Sequence, residues 1–266
     1  MLGQKNLYTV LNNQLREDTL ARFIIIEGEL GSEKNLVAKE LAKANDLLYV
    51  ESPDCKIDTI RQIIGDAYRV TKPTVFAILD ADDMSVQAKN ALLKVTEEPP
   101  NKARFVMTLQ SVGSTLETIK SRATIYQADA YSRAQLSEYC DIKRYAEKDL
   151  LLDVCSTPGD IDLVNGYGTK DFYDFVHKVT ENVATVSGAN SFKIAKSIKL
   201  KDTDEGYDLV LFFKTFFLIC VQNDWFRGGA LTGKYLADLR VKSVNKQMLF
   251  DSWLLNIRRE WRDDNC

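Results

Sequence analysis

The 266-residue sequence holds one histidine, five cysteines and five prolines, and its longest apolar run, Leu209–Cys220, is interrupted by Lys214. Each scarcity closes off a class of function. His177 has no second histidine with which to build a metal centre, and a lone histidine within Phe175–Val179 reads as packing or surface. Cys55, Cys140, Cys155, Cys220 and Cys266 come no closer than fifteen residues, so no CxxC zinc framework exists. An odd, scattered set fits a reducing cytosol. The Leu209–Cys220 run is too short and too charged to span a bilayer. Met1-Leu2-Gly3-Gln4-Lys5 lacks the apolar stretch of a signal peptide. A soluble, cytoplasmic protein without a membrane partner is expected. Basic charge is not in excess either, with a net charge of −3 and an isoelectric point near 5.4. Contact with nucleic acid would need a local patch or a surface shared across an assembly. Lys193, Lys196, Lys199 and Lys201 cluster, but a solvated helix face accounts for them more simply.

What is present is ordinary globular material, 45% hydrophobic and 27% charged, long enough for two or three domains. Helical spacing over residues 7–20 precedes the β-branched run Phe23–Ile26 and a turn at Glu27–Gly31. A helix pattern follows from Lys34 to Ala44. Strand and helix then alternate. Strands are expected at Leu47–Val50, Val75–Leu79, Arg104–Leu109 and Ala123–Tyr126, and helices at Ile57–Val70, Ser85–Glu98 and Thr115–Ser121. This is the βα repeat of a mainly parallel sheet. From Ser132 onward strand signals stop. Helices are expected at Ser132–Tyr139, Asp149–Cys155, Asp160–Asn165 and Asp171–Ala184, with a break at Pro158-Gly159. A Ser/Gly/Asn linker at Val186–Ser191 leads to helices at Asp208–Trp225 and Lys246–Trp261. The expected fold class is α/β followed by all-α, with an α/β domain over 1–130, a small helical domain over 131–190 and a helical bundle over 191–266.

Two constellations point to a nucleotide site. Gly28-Glu29-Leu30-Gly31-Ser32-Glu33-Lys34-Asn35 lies between a strand and a helix, where a P-loop G-x-x-x-x-G-K-[S/T] cradles phosphate on backbone N–H groups. Gly28 and Lys34 keep the spacing. Glu33 replaces the second glycine and brings a carboxylate where phosphate would sit, without glycine's freedom at φ > 0. Asn35 replaces the Mg²⁺-binding hydroxyl. Thr74–Leu79 running into Asp80 has the Walker B layout, in which the Asp helps to hold Mg²⁺. The next position, where a Glu would polarise the attacking water, is Ala81. Asp82 or Asp83 could substitute for it only from a position displaced along the chain, and such a shift turns a side chain elsewhere. A tight βα turn and a solvated acidic loop are the plainer accounts of these segments.

Asn90-Ala91-Leu92-Leu93-Lys94-Val95-Thr96-Glu97-Glu98-Pro99-Pro100 closely resembles the NALLKxLEEPP segment of clamp-loader AAA+ subunits, and Asp82–Lys89 is similar to its lead-in in the δ′-like members. Thr96 stands where that family has Leu. Gly3-Gln4, Ile57–Ile63 with Arg61, and Thr118-Ile119-Lys120-Ser121-Arg122-Ala123 resemble further family segments, the last of them T-I-x-S-R-C. Thr157–Ile161 resembles the lid's S-P-G-[R/K]-A, with Asp160 at the basic sensor-2 position. Gln110 falls at sensor 1, and Ser243–Leu249 is weakly similar to the collar helix. Only Cys55 lies between Ala44 and Ile57, so the four-cysteine zinc module of many bacterial relatives is absent.

The resemblance implies an AAA+ P-loop αβα domain, a helical lid and a C-terminal collar. It further implies a δ′-like clamp-loader subunit of DNA replication with a degenerate ATP site and no independent ATPase activity. Such a subunit would contribute to the ATPase of a complex by supplying Arg122 as a trans arginine finger. Gly28, Gly31, Ser32, Lys34, Asn35, Asp80 and Gln110 would form the residual nucleotide site, binding ATP or ADP with Mg²⁺ weakly at most, with no other metal. Implied partners are other clamp-loader AAA+ subunits, the sliding clamp and, through the complex, primer–template DNA. A self-sufficient AAA+ ATPase and a non-enzymatic replication adaptor are the alternatives.

Overall fold

The structure is a computed structural model that describes residues 3–183, 193–200, 205–239 and 244–265. The chain divides into two compact units. One comprises Met1–Tyr139 with Thr157–Gly159, the other Cys140–Ser156 with Asp160–Cys266.

In the first unit, α1 (Lys5–Arg16), β1 (Phe23–Glu27), α2 (Lys34–Ala44), β2 (Leu48–Glu51), α3 (Ile57–Ala67) and β3 (Thr74–Ile78) are followed by α4 (Val86–Glu97), β4 (Ala103–Leu109), α5 (Glu117–Lys120) and β5 (Thr124–Gln127). The five strands form one sheet in the order β2-β3-β4-β1-β5, and every pairing is parallel. The central strands are apolar on both faces because helices cover both. Phe23, Ile25, Phe76, Ile78, Phe105 and Met107 join Ile60, Leu92 and Val95 in one core. Ile24, Ile26, Val75, Ala77 and Val106 join Leu7, Leu11, Val37 and Leu41 in the other. This is the period-two alternation of a pleated strand. Phe105 lies in register with both Phe23 and Phe76, with ring centroids 5.8 and 5.4 Å away.

The helix α6 (Arg133–Lys143) precedes α7 (Lys148–Val154), α8 (Pro158–Tyr167), α9 (Thr169–Asn182), β6 (Ile198–Lys199), β7 (Tyr207–Asp208), α10 (Leu209–Gln222), α11 (Phe226–Asp238) and α12 (Lys246–Asn265). The second unit is built around aromatic rings. Phe212, Phe213, Phe216 and Phe250 each have ring centroids within 4.9–5.5 Å of Trp253. Trp253 is fully buried, and its indole N–H donates to Thr232 Oγ1 at 3.1 Å.

The α/β-then-helical fold class matches the expectation, with three differences. Pro158 is the first residue of α8 rather than part of a break, because a helix's first residue needs no N–H partner. The two-residue strands β6 and β7 pair in parallel after the point where strand signals end. The helix α11 has no counterpart among the expected elements. The Val186–Ser191 linker, Lys201, Ser243 and Cys266 lie outside the described residues. No helix among the described residues is long and apolar enough to cross a membrane.

Candidate functional site

The C-terminal ends of parallel strands present their following loops on one edge of a sheet. Here those loops are 28–33 after β1, Asp80 after β3 and 110–114 after β4. Gly28, Gly31, Ser32, Lys34, Asn35 and Asp80 come together on this edge. Lys34, the first residue of α2, is only 2% exposed; its Nζ lies 3.1 Å from Asp80 Oδ1 and donates to Glu29 O at 3.3 Å. Asn35 Nδ2 donates to Asp80 Oδ2 at 2.7 Å. Thr108 on β4 donates its hydroxyl to Asn35 Oδ1 at 2.7 Å and accepts from Asp80 N at 2.8 Å. Asn35, Asp80 and Thr108 thus form a closed ring that uses both ends of the Asn35 amide, and Lys34 joins it through Asp80 Oδ1.

The phosphate-type loop is tied at each carbonyl from Glu29 to Ser32. Leu30 O accepts from Thr157 Oγ1 at 3.2 Å and Gly31 O from Gly159 N at 3.1 Å. Ser32 O accepts from Gln4 Nε2 at 3.0 Å and from the Tyr131 hydroxyl at 3.1 Å. Gly31 has φ +76°, and a Cβ built on it would stand 2.7 Å from Gly159 Cα, so both positions demand glycine. Glu33 adopts φ 59°, the left-handed conformation, as the residue preceding α2. Its carboxylate accepts from the Tyr131 hydroxyl at 3.0 Å. Burial and then the Glu33 charge push the Tyr131 phenol above its ordinary value. Gln4, fully buried, also spans Asp129, donating to its carbonyl at 3.0 Å and accepting from its N–H at 2.8 Å. The buried Ser32 hydroxyl has no hydrogen-bond partner.

Ala81 is buried. Asp82 turns to the loop after β4, accepting from Gln110 N at 2.8 Å and Ser111 N at 3.2 Å. Gln110 is exposed, held through its backbone rather than its side chain. Asp160 is also engaged: its carboxylate accepts from Ser156 N at 3.0 Å and meets Lys214 Nζ at 3.0 Å, near the start of α8. Arg122 follows α5. Its Nη1 donates to Thr118 O at 2.7 Å, and its Nη2 lies 2.8 Å from Glu97 Oε1 at the end of α4. Thr96, buried at a position with family Leu, satisfies its hydroxyl on Leu93 O at 2.7 Å. Thr108 and Tyr131 have no local signature, and although Gln4, Glu97 and Thr157 lie in segments with a family resemblance, only the fold brings them to their partners.

Residues 44–131, about a third of the chain, match the family described as DNA polymerase III, delta subunit. The chain is 23% identical over 169 residues to DNA polymerase III subunit gamma of Buchnera aphidicola, covering 52% of this chain and 47% of that protein. It is 23% identical over 244 residues to DNA polymerase III subunit gamma/tau of Mycoplasma genitalium, covering 79% of this chain and 38% of the relative. The match spans less than half the length of either relative. Among solved structures, the RuvB Holliday junction branch migration motor of Thermotoga maritima superposes with a TM-score of 0.51 at 15% identity. That superposition covers 95% of this chain and 86% of RuvB; at that identity the likeness is one of fold. Sequence and fold together support the clamp-loader AAA+ family resemblance carried by residues 82–100 and 118–123.

Proposed function

We propose that this chain is a δ′-like clamp-loader subunit that does not hydrolyse ATP itself and supplies Arg122 to the ATP site of a neighbouring AAA+ subunit. The observation that carries the reading is the closed ring of Asn35, Asp80 and Thr108, joined by Lys34 at Asp80, beside a buried alanine. A hydrolytic site needs an oxygen free for Mg²⁺ and an acid beside the attacking water. Asn35 Oδ1 and both Asp80 oxygens are engaged, Ala81 cannot orient water, and Asp82 serves two backbone N–H groups. The residues present therefore do not fit Mg²⁺-assisted hydrolysis in cis. Arg122 lies outside the ring and keeps the guanidinium that stabilises phosphoryl-transfer charge. In this reading the partners are ATPase-competent clamp-loader subunits and a sliding clamp, with primer–template DNA met through the assembly.

The experiment is a tagged pull-down from the native source, followed by the DNA-stimulated ATPase of the recovered complex. Recovery of a clamp-loader ATPase and a clamp is expected, and Arg122→Ala should lower turnover by roughly 10³-fold or more. Lys34→Ala should leave it within about twofold. An unchanged rate with Arg122→Ala rules out the finger. A second reading, nucleotide binding without turnover, is favoured by the buried and unpartnered Ser32 hydroxyl, which a phosphate oxygen would satisfy. Titration calorimetry of the isolated chain with ADP decides it, and heat lost in Lys34→Ala would support binding.

A further inference from the structure

The guanidinium of Arg122 is gripped from two sides within its own chain. Nη1 donates to Thr118 O, one turn back, at 2.7 Å. Nη2 sits 2.8 Å from Glu97 Oε1, near the end of α4 and just ahead of the Pro99-Pro100 stop. The arginine side chain is 36% exposed, so its head is held while part of it still faces solvent. These two contacts occupy two of the five guanidinium donors of a side chain that is still partly exposed. A long arginine that must meet a developing charge on another molecule acts best when its geometry is set beforehand. Charge-assisted hydrogen bonds give the firmest such setting.

We propose that Glu97 is the positioning residue for Arg122: its carboxylate holds the guanidinium in one geometry before a neighbouring nucleotide site arrives. This inference rests on the trans-finger reading above. It also gives a reason for an acid at the end of α4, since Glu97 stands where the α5 turn brings Arg122 within reach. Because the arginine acts on charge that develops in the transition state, loss of its positioning reduces kcat and spares KM. The amide of Glu97→Gln retains an oxygen able to accept from Nη2, whereas Glu97→Ala removes the acceptor.

Two measurements test it. In the isolated chain, ¹⁵N NMR of the arginine side chains should show slowed rotation of the Arg122 guanidinium, lost in Glu97→Ala and partly kept in Glu97→Gln. A freely rotating Arg122 in the unaltered chain would overturn the proposal without touching the finger reading. In the complex recovered with the tagged chain, Glu97→Ala should lower the kcat for ATP by about 10- to 100-fold with KM within about twofold, and Glu97→Gln should restore part of it. If Arg122→Ala is inactive while both Glu97 variants keep full kcat, Arg122 acts without this positioning. If Arg122→Ala is itself unaffected, the finger reading fails and Glu97 falls with it.

Discussion

Gln4 shows how much one side chain can organise. Its amide is fully buried and bonds Ser32 O and both backbone groups of Asp129, so it braces the phosphate-type loop against the segment after β5. Gln4→Ala leaves these groups without that partner, and each unmet buried group costs about 1–3 kcal/mol. Urea unfolding should therefore show a loss of about 3 kcal/mol; a loss under about 1 kcal/mol would mean that water replaces the amide. By sequence, Glu33 weakens the loop partly because it lacks glycine's backbone freedom. It nevertheless takes the left-handed conformation, anchored by Tyr131. The sequence exposes the substitution but not its anchor, which lies almost a hundred residues away.

Cys220 carries a pH prediction at the same scale. Burial alone raises its thiol from 9.0 to about 12, so the folded chain favours the protonated form. That stabilisation is whole below pH 9 and is lost as pH climbs towards 12. Urea midpoints measured from pH 8 to 12 should fall less steeply for Cys220→Ala than for the unaltered chain. Parallel curves would mean that the thiol is not what titrates. At neutral pH the same burial should keep Cys220 unreactive towards iodoacetamide in the folded chain.

At the scale of elements, legibility tracks the strength of the repeating pattern. The strands β1, β3 and β4 announce themselves as continuous apolar runs because helices bury both their faces, and their bounds agree with the sequence pattern to within about a residue or two. The end of α4 is fixed by two prolines. In contrast, α11 carries Gly228, Gly229 and Gly233, and glycine is a poor helix former. Its glycines are placed for contact: a Cβ on Gly228 would stand 2.5 Å from the Trp225 ring, and Gly233 faces Phe217. The first approach is local, to the residue that precedes the helix, and the second is a contact with another helix; neither leaves a periodic trace. The strands β6 and β7 are two residues long, too short to show alternation. The start of α10 was legible at Asp208, and its carboxylate does cap the helix, accepting from Val210 N at 2.9 Å and Leu211 N at 3.0 Å. Asp208→Ala should cost about 1 kcal/mol and Asp208→Asn much less, read as a shift in the urea midpoint. Equal losses in the two variants would assign the effect to charge rather than to the cap.

For the whole molecule, the central fact is that two separate cores stabilise one chain. The stacked phenylalanines of the sheet belong to the first unit and the ring cluster around Trp253 to the second. A site assembled from β1, β3 and β4 draws its geometry from the first core, so damage to the second should spare it. Trp253→Ala removes a fully buried indole and the hydrogen bond it gives Thr232, a change worth about 3–5 kcal/mol of cavity and lost contact. Native-state hydrogen exchange should show that loss in the amides of α10 and α12. The amides of β3 and β4 should keep their protection, because the sheet has a core of its own and local opening is not uniform across a chain. Equal loss of protection in both units would mean that the chain opens as one cooperative body. Lys34, Asn35, Asp80 and Thr108 would then owe their arrangement to the helical region as much as to the sheet that carries them.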